Sequence, residues 1–150
     1  MTNKTNHKSM LSIQLSTAFT IKLSLGALLE EVYQGHIGNP TQTKRIVRQT
    51  TWINKELQLM RKNLKILSSK PTKNFSVIVL EKSVEKMMLD CKKMGVLANQ
   101  MTLSRIRQQD TIKEYKKIRI LLNGVVHNSS QLCDQLKTFE TMHVSKANMN

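Results

Sequence analysis

The spacing of apolar residues between Thr43 and Ser68 is the feature that most constrains the fold of this chain. Apolar side chains recur there in alternating steps of four and three residues, which brings them onto one face of an α-helix. We term such a row a seam. This seam consists of Ile46, Thr50, Ile53, Leu57, Met60, Leu64 and Leu67. The sequence therefore predicts a helix over residues 43–68 that packs through its seam.

A second apolar row lies beside this seam. Trp52, Leu59 and Ile66 are spaced seven residues apart and would widen the apolar face of the helix. A two-stranded coiled coil needs only a narrow seam. The wider face therefore predicts burial against at least two neighbouring helices.

Two later stretches repeat the spacing. The first has a seam of Val77, Leu80, Val84, Met87, Cys91, Met94, Ala98 and Met101. The second has a seam of Tyr115, Ile118, Leu122, Val125, Ser129, Leu132, Leu136 and Phe139. These seams are out of phase, and Thr111 followed by Glu114 has the arrangement of a capping box, so we predict separate helices over 75–102 and 111–140. One bent helix is the alternative, because no Gly or Pro lies between Ala98 and Thr111.

The first stretch gives mixed signals. Apolar residues alternate with polar ones from Leu11 to Leu25, as in a strand, but Leu25, Leu28 and Val32 share one helical face. We predict a helix over 9–34. The same run follows two lysines and resembles a targeting or membrane segment in composition. Spanning a membrane would bury Lys22 at a cost of about 2.5 kcal/mol or more, so we expect a core helix instead.

Composition agrees with a helical fold. Aromatic residues are 4% of the chain, with five Gly and two Pro, which disfavours an all-β sandwich or barrel. The Gly- and Pro-containing segments 35–40 and 68–74 separate the predicted helices. We predict one all-α domain over residues 1–150, a three- or four-helix bundle with long, coiled-coil-like heptad helices and disordered tails at 1–8 and 142–150.

The residues that usually carry chemistry form no recognisable site in the sequence. Four histidines and two cysteines, Cys91 and Cys133, lack partners at metal-ligand or catalytic-triad spacing, and no phosphate-binding or nucleophile motif occurs. We therefore predict no catalytic residues, no cofactor and no metal. Two cysteines cannot form a dense disulfide framework, which favours a reducing compartment. We expect an intracellular protein of the nucleus or cytoplasm rather than a mitochondrial or secreted one.

Positive charge is the strongest polar feature. The chain has 24 Lys and Arg against 10 Asp and Glu, and residues 41–73 alone hold nine basic residues and one acidic one. Five of these cations fall on the helix face opposite the seam, in a row about 30 Å long at 1.5 Å per residue. We name this row the α2 ridge. It consists of Lys44, Arg48, Lys55, Lys62 and Lys65.

Two functions are compatible with these patterns. We predict a non-enzymatic helical interaction protein, a subunit of a larger complex or a coiled-coil assembly, which packs against helices of a partner or of another copy. Methionines would make such a packing surface adaptable. The predicted partner-packing residues are Ile53, Leu57, Met60, Leu64, Val84, Met87 and Met94. The alternative is a small basic protein that binds nucleic acid, or another acidic partner, through the α2 ridge.

Overall fold

The chain forms four long helices. The computed structural model describes residues 2–34, 39–68 and 75–148. Its elements are α1 (Thr2–Tyr33), α2 (Pro40–Ser68), α3 (Phe75–Ile106) and α4 (Ile112–Asn148), and the described ranges contain no strand. The prediction of an all-α helical bundle is confirmed. The stretch in which apolar and polar residues alternate as in a strand forms part of α1. The predicted helix is therefore correct there, and the strand signal is not.

The outer helices are longer than the sequence predicts. Residues 2–8 belong to α1 and residues 142–148 belong to α4, where the sequence predicts disordered tails. No Gly or Pro occurs in either segment, so the helical backbone continues without a residue that would break it.

The start of α2 also lies earlier than predicted. Asn39 caps the helix: its Oδ1 accepts a hydrogen bond from the Thr41 N–H at 3.0 Å, and its backbone carbonyl accepts one from the Gln42 N–H at 3.0 Å. Pro40 occupies the first helical position, where its missing N–H costs nothing and its fixed φ suits the helix. The Asn–Pro pair therefore begins the helix three residues before the predicted Thr43.

A distinct break separates α3 from α4, as the phase difference between their seams predicts. Gln108 has a φ of 56°. The Gln109 N–H donates to the Ser104 carbonyl at 2.7 Å and the Gln108 N–H to the Arg105 carbonyl at 3.0 Å. This pair of bonds around a left-handed residue is a Schellman motif, which ends a helix by satisfying its last carbonyls.

The cap of α4 differs from the predicted capping box. The Ile112 N–H donates to Asp110 Oδ1 at 3.0 Å, so Asp110 supplies the side-chain cap. Glu114, the acidic residue of the predicted box, has a buried Oε2 without a hydrogen-bond partner.

The helices are arranged in sequence order around a square. Helix α2 packs along α3, α3 along α4 and α4 along α1, whereas α1 and α2 approach closely over much less of their length. Neighbours run antiparallel. Arg61, late in α2, lies 3.4 Å from Glu85, early in α3, and the hydroxyl of Tyr115, at the start of α4, donates to the carbonyl of Val32, at the end of α1.

Each helix buries one narrow seam in a common core. The buried positions follow the alternating three- and four-residue steps in all four helices. The buried seam of α1, which the sequence analysis only partly identified, consists of Leu11, Gln14, Ala18, Ile21, Leu25, Leu28 and Val32. Two of the polar seam residues bond within their own helices. Thr50 Oγ1 donates to the Ile46 carbonyl at 2.7 Å and Ser129 Oγ to the Val126 carbonyl at 2.7 Å.

The expected widening of the α2 face is wrong. Trp52, Leu59 and Ile66 are exposed rather than buried, although α2 does lie between two neighbours. The seam of α2 enters the core, and beside it Val47 packs partly buried against the core. The neighbouring row at the seven-residue spacing lies outside the core.

We expect Leu57→Ala to destabilise the protein by about 2–5 kcal/mol, because the leucine is fully buried and its truncation leaves a cavity. Leu59→Ala is the matched control. Leu59 is 55% exposed, so its truncation should change the free energy of unfolding by about 0.5 kcal/mol or less. Urea denaturation measures both. Equal effects of the two substitutions would contradict the burial pattern.

Gln108→Gly should stabilise the protein by up to about 1 kcal/mol. The left-handed conformation costs an L-residue about 1–2 kcal/mol relative to glycine, and the greater freedom of glycine in the unfolded chain offsets part of the gain. Gln109→Gly, one residue on, is the control and should give no gain. A lower melting midpoint for Gln108→Gly would show that the turn is not a Schellman motif.

Candidate interaction surface

The predicted partner-packing residues lie inside the bundle. Their side chains are fully buried against the chain's own helices. The residues concerned are Ile53, Leu57, Met60, Leu64, Val84, Met87 and Met94. The closed bundle leaves none of their surface for a partner, so any contact surface must be sought on the outside.

The α2 ridge lies on the outside. All five of its residues are exposed along α2. Two arginines beside it form ion pairs with neighbouring helices: Arg45 lies 2.7 Å from Glu31 on α1, and Arg61 pairs with Glu85 on α3. Such half-exposed pairs contribute about 0–1 kcal/mol each to stability. They also direct two of the chain's few carboxylates toward those arginines rather than toward the ridge.

A groove lined by both polar and apolar side chains joins the ridge to α3. Between α2 and α3 it has a volume of about 400 Å³ and includes Lys55 and Lys92 on opposite walls, with Thr51, Gln58 and Asn99. The cationic surface of α2 therefore continues onto α3.

A larger and more apolar groove lies between α3 and α4. It has a volume of about 710 Å³. The residues that line it are Leu89, Lys92, Lys93, Val96, Leu97, Gln100, Lys117, Ile120 and Leu121. We name it the α3/α4 groove. Leu89, Val96 and Leu103 form an exposed row on α3 at seven-residue spacing, and Leu89 and Val96 line the groove.

The groove cannot be recognised from the sequence alone. The sequence does contain one signal of an outer apolar surface. Leu89, Val96 and Leu103 recur every seven residues on the face of α3 opposite its seam. Leu89 and Val96 line the same groove as Ile120 on α4 only because of how α3 and α4 are aligned along each other. That alignment is not evident from the sequence.

The end of α1 is fixed by three different parts of the chain. The Glu30 carbonyl accepts from the Gln34 N–H at 3.1 Å, and the Glu31 carbonyl accepts from Gln42 Nε2 at 3.3 Å. The Val32 carbonyl accepts from the buried Tyr115 hydroxyl. These bonds satisfy carbonyls that a helix end leaves without partners. They also fix the corner where α1, α2 and α4 meet.

Tyr33 extends this corner onto the surface. The Arg119 guanidinium lies 4.0 Å from the centre of the Tyr33 ring, and Asn123 Nδ2 donates to its hydroxyl at 2.8 Å. Hydrogen bonds from Asn123 and then Arg119 lower the pKa of Tyr33 below its usual value. The cluster links α1 to α4 by a cation–π contact and a hydrogen bond.

The two cysteines are free and buried on α3 and α4. Burial raises the pKa of Cys91 to about 12, with a smaller contribution from the nearby Asp90. Burial also raises the pKa of Cys133, and the Lys22 ammonium partly opposes that shift. Both thiols are thus protonated near neutral pH, which suits small core residues rather than nucleophiles.

Within residues 2–34, 39–68 and 75–148, no three His, Cys, Asp or Glu side chains converge as metal ligands would. His127, which the sequence places opposite the seam of α4, is exposed there. His7, His36 and His143 have side chains outside the described residues.

Helix α1 contains one segment that is long and apolar enough to cross a membrane. It runs from Met10 to Tyr33 with a mean hydropathy of 1.3, and one third of it (33%) is buried in the bundle. Its seam packs into the common core, and a core helix of a globular protein meets the same criteria of length and composition.

No known family, curated protein or solved structure matches this chain.

Alkaline pH should weaken the fold through Cys91. The folded state holds the thiol proton up to a pKa of about 12, whereas the unfolded chain loses it near pH 8.5. Stability from this group is therefore complete below pH 8.5 and decreases above it, by up to about 1.4 kcal/mol per pH unit. Urea midpoints from pH 8 to 10.5 should fall more steeply for the native protein than for Cys91→Ala. Parallel slopes would contradict the burial of a protonated thiol.

Proposed function

We propose that this protein is a non-enzymatic helical interaction protein, a subunit of a larger assembly, whose outer surface binds an acidic protein partner. One observation carries the proposal: the four seams complete the core, yet large apolar side chains remain exposed in rows outside it. Among these are Ile13, Leu23, Leu59, Leu89, Val96, Leu103 and Ile120. Grouped apolar residues on a surface are typical of interaction sites.

The charge balance indicates the nature of the partner. A net charge of +14 attracts acidic surfaces and accelerates association with them. The exposed α2 ridge and Lys92 of α3 bring several of these positive charges together on one side of the bundle. An acidic protein that also offers apolar residues would use both features. A partner with negative charge alone would leave the apolar rows without a role.

Nucleic acid is the second candidate, and the exposure of the entire α2 ridge favours it. The cations of the ridge form a row that is long enough to contact several successive phosphates of a nucleic-acid backbone. Trp52 lies beside the ridge and is partly exposed, but strand-binding surfaces use several aromatic residues to stack successive bases. The ridge therefore supports electrostatic contact with phosphates more than recognition of bases.

The proposal includes an intracellular site of action, in the nucleus or cytoplasm. Two free buried thiols and the absence of any disulfide among the described residues agree with a reducing compartment. We also propose that α1 acts as a core helix rather than a membrane span, since its seam completes the core that α2, α3 and α4 share.

Replacing Arg48, Lys55 and Lys62 with Gln should reduce recovery of acidic partners in affinity purification from the native cell. The control replaces the exposed Lys82, Lys116 and Lys137 with Gln, which removes the same charge elsewhere. Both variants should fold normally, because exposed lysines contribute little to stability. Parallel purifications with and without nuclease separate protein partners from nucleic acid.

The outcomes distinguish the two candidates. Partners that survive nuclease and are lost only from the ridge variant support an acidic protein partner. Partners lost on nuclease treatment, with a salt dependence that decreases by roughly one log–log unit per removed phosphate contact, support nucleic acid instead. Equal recovery with both variants and the native protein would reject a binding role for the ridge.

A further inference from the structure

We infer that the α3/α4 groove binds an acidic amphipathic helix of a partner protein. This inference rests on the proposed function and assigns the site of the partner's apolar contacts, which lies apart from the α2 ridge that attracts the partner's acidic surface. The groove has the form that two antiparallel helices leave for a third: an apolar floor with long polar side chains at its edges. Helix-in-groove recognition uses apolar anchors at helical spacing against such a floor.

The floor is apolar and accessible. Leu97 and Leu121 are half-buried where α3 and α4 meet, with Leu89 and Val96 on one side and Ile120 on the other. Val96 is 51% exposed and Ile120 is 72% exposed, so substantial apolar surface remains to be covered. From Leu89 to Gln100 the α3 wall extends about 16 Å, which accommodates roughly three turns of an incoming helix.

The charged residues of the rim are all basic. Lys92 and Lys93 on α3 and Lys117 on α4 contribute to the lining, and none of its residues is acidic. Lysine stems cover apolar surface while their ammonium groups stay in water. A helix with an apolar stripe bordered by Asp or Glu would therefore place its carboxylates beside these ammonium groups. Charge complementarity of this kind increases the association rate and excludes partners of the wrong charge.

The same charges disfavour a second copy of the chain as the occupant. Two molecules of net charge +14 would bring like-charged rims together, and such juxtaposition is costly. The floor also argues against nucleic acid, because none of the lining residues is aromatic and its apolar side chains offer bases no hydrogen bonds. A flat bilayer would contact protruding residues such as Ile120 but not the recessed Leu97 and Leu121.

The test uses the full chain and a fluorescent peptide of three heptads with Leu at the seam positions and Glu at the flanking ones. A peptide with Lys in place of Glu is the charge control, and vesicles of phosphatidylcholine with phosphatidylserine are the membrane arm. Ile120→Glu places a carboxylate in the α3/α4 groove alone, whereas Val96→Glu places one where this groove borders the groove between α2 and α3. Leu59→Glu is the matched control, because Leu59 on α2 is as exposed as Val96. Melting midpoints verify that all three variants fold.

We expect the acidic peptide to bind the native protein and the lysine peptide not to bind. Val96→Glu and Ile120→Glu should each weaken binding by roughly tenfold or more, and Leu59→Glu by less than about twofold. Replacing Lys93 and Lys117 with Gln should reduce the salt dependence of binding.

Two results would overturn the assignment of the groove. If the acidic peptide binds Ile120→Glu as tightly as the native protein but binds the ridge variant less tightly, the groove is not the site, although the proposed binding of acidic proteins stands. The groove does not select an acidic helix if no binding occurs up to about 1 mM peptide. The same conclusion follows if Val96→Glu weakens the binding of vesicles as much as it weakens the binding of the peptide. The purification experiment then decides the broader proposal independently.

Discussion

Burial of one narrow seam on each of four helices is the interaction on which the rest of the structure depends. The steps of three and four residues place apolar side chains on a single line along each helix, and the four lines meet in one core. Because a narrow line suffices, the remaining faces are free to differ. One carries the α2 ridge, and others carry exposed apolar rows that contribute nothing to the core.

The corner formed by the end of α1 and the starts of α2 and α4 converts this packing into a defined order of helices. Carbonyls at the end of α1 accept hydrogen bonds from Gln42 on α2 and Tyr115 on α4. The ion pair of Arg45 with Glu31 adds a contact between α1 and α2, the two neighbours that approach least closely along their length. Local bonds at the corner thus compensate for limited packing between these two helices.

The sequence predicted most of the fold because the period of its apolar residues specifies both the helices and their buried faces. Leu57 and Met94 were placed correctly in seams, and the phase difference located the break near Gln108. The sequence could not show whether the seams close on one another or on a partner, since both arrangements bury the same residues. It also misjudged Trp52 and Leu59, because an apolar side chain beside a seam is buried only if a neighbouring helix lies over it. The α3/α4 groove was missed for the same reason, as Val96 and Ile120 come together only through the register of two helices.

The central claim is that a single chain closes its own core, so that partners meet its outer surface. Sedimentation equilibrium of the purified protein over a wide range of concentrations tests this most directly. The account predicts a folded, helical monomer of 17.2 kDa at every concentration, because the seams are already buried and the charge of the chain opposes self-association. Concentration-dependent assembly into dimers or tetramers would contradict it, and would indicate that the seams pair between chains.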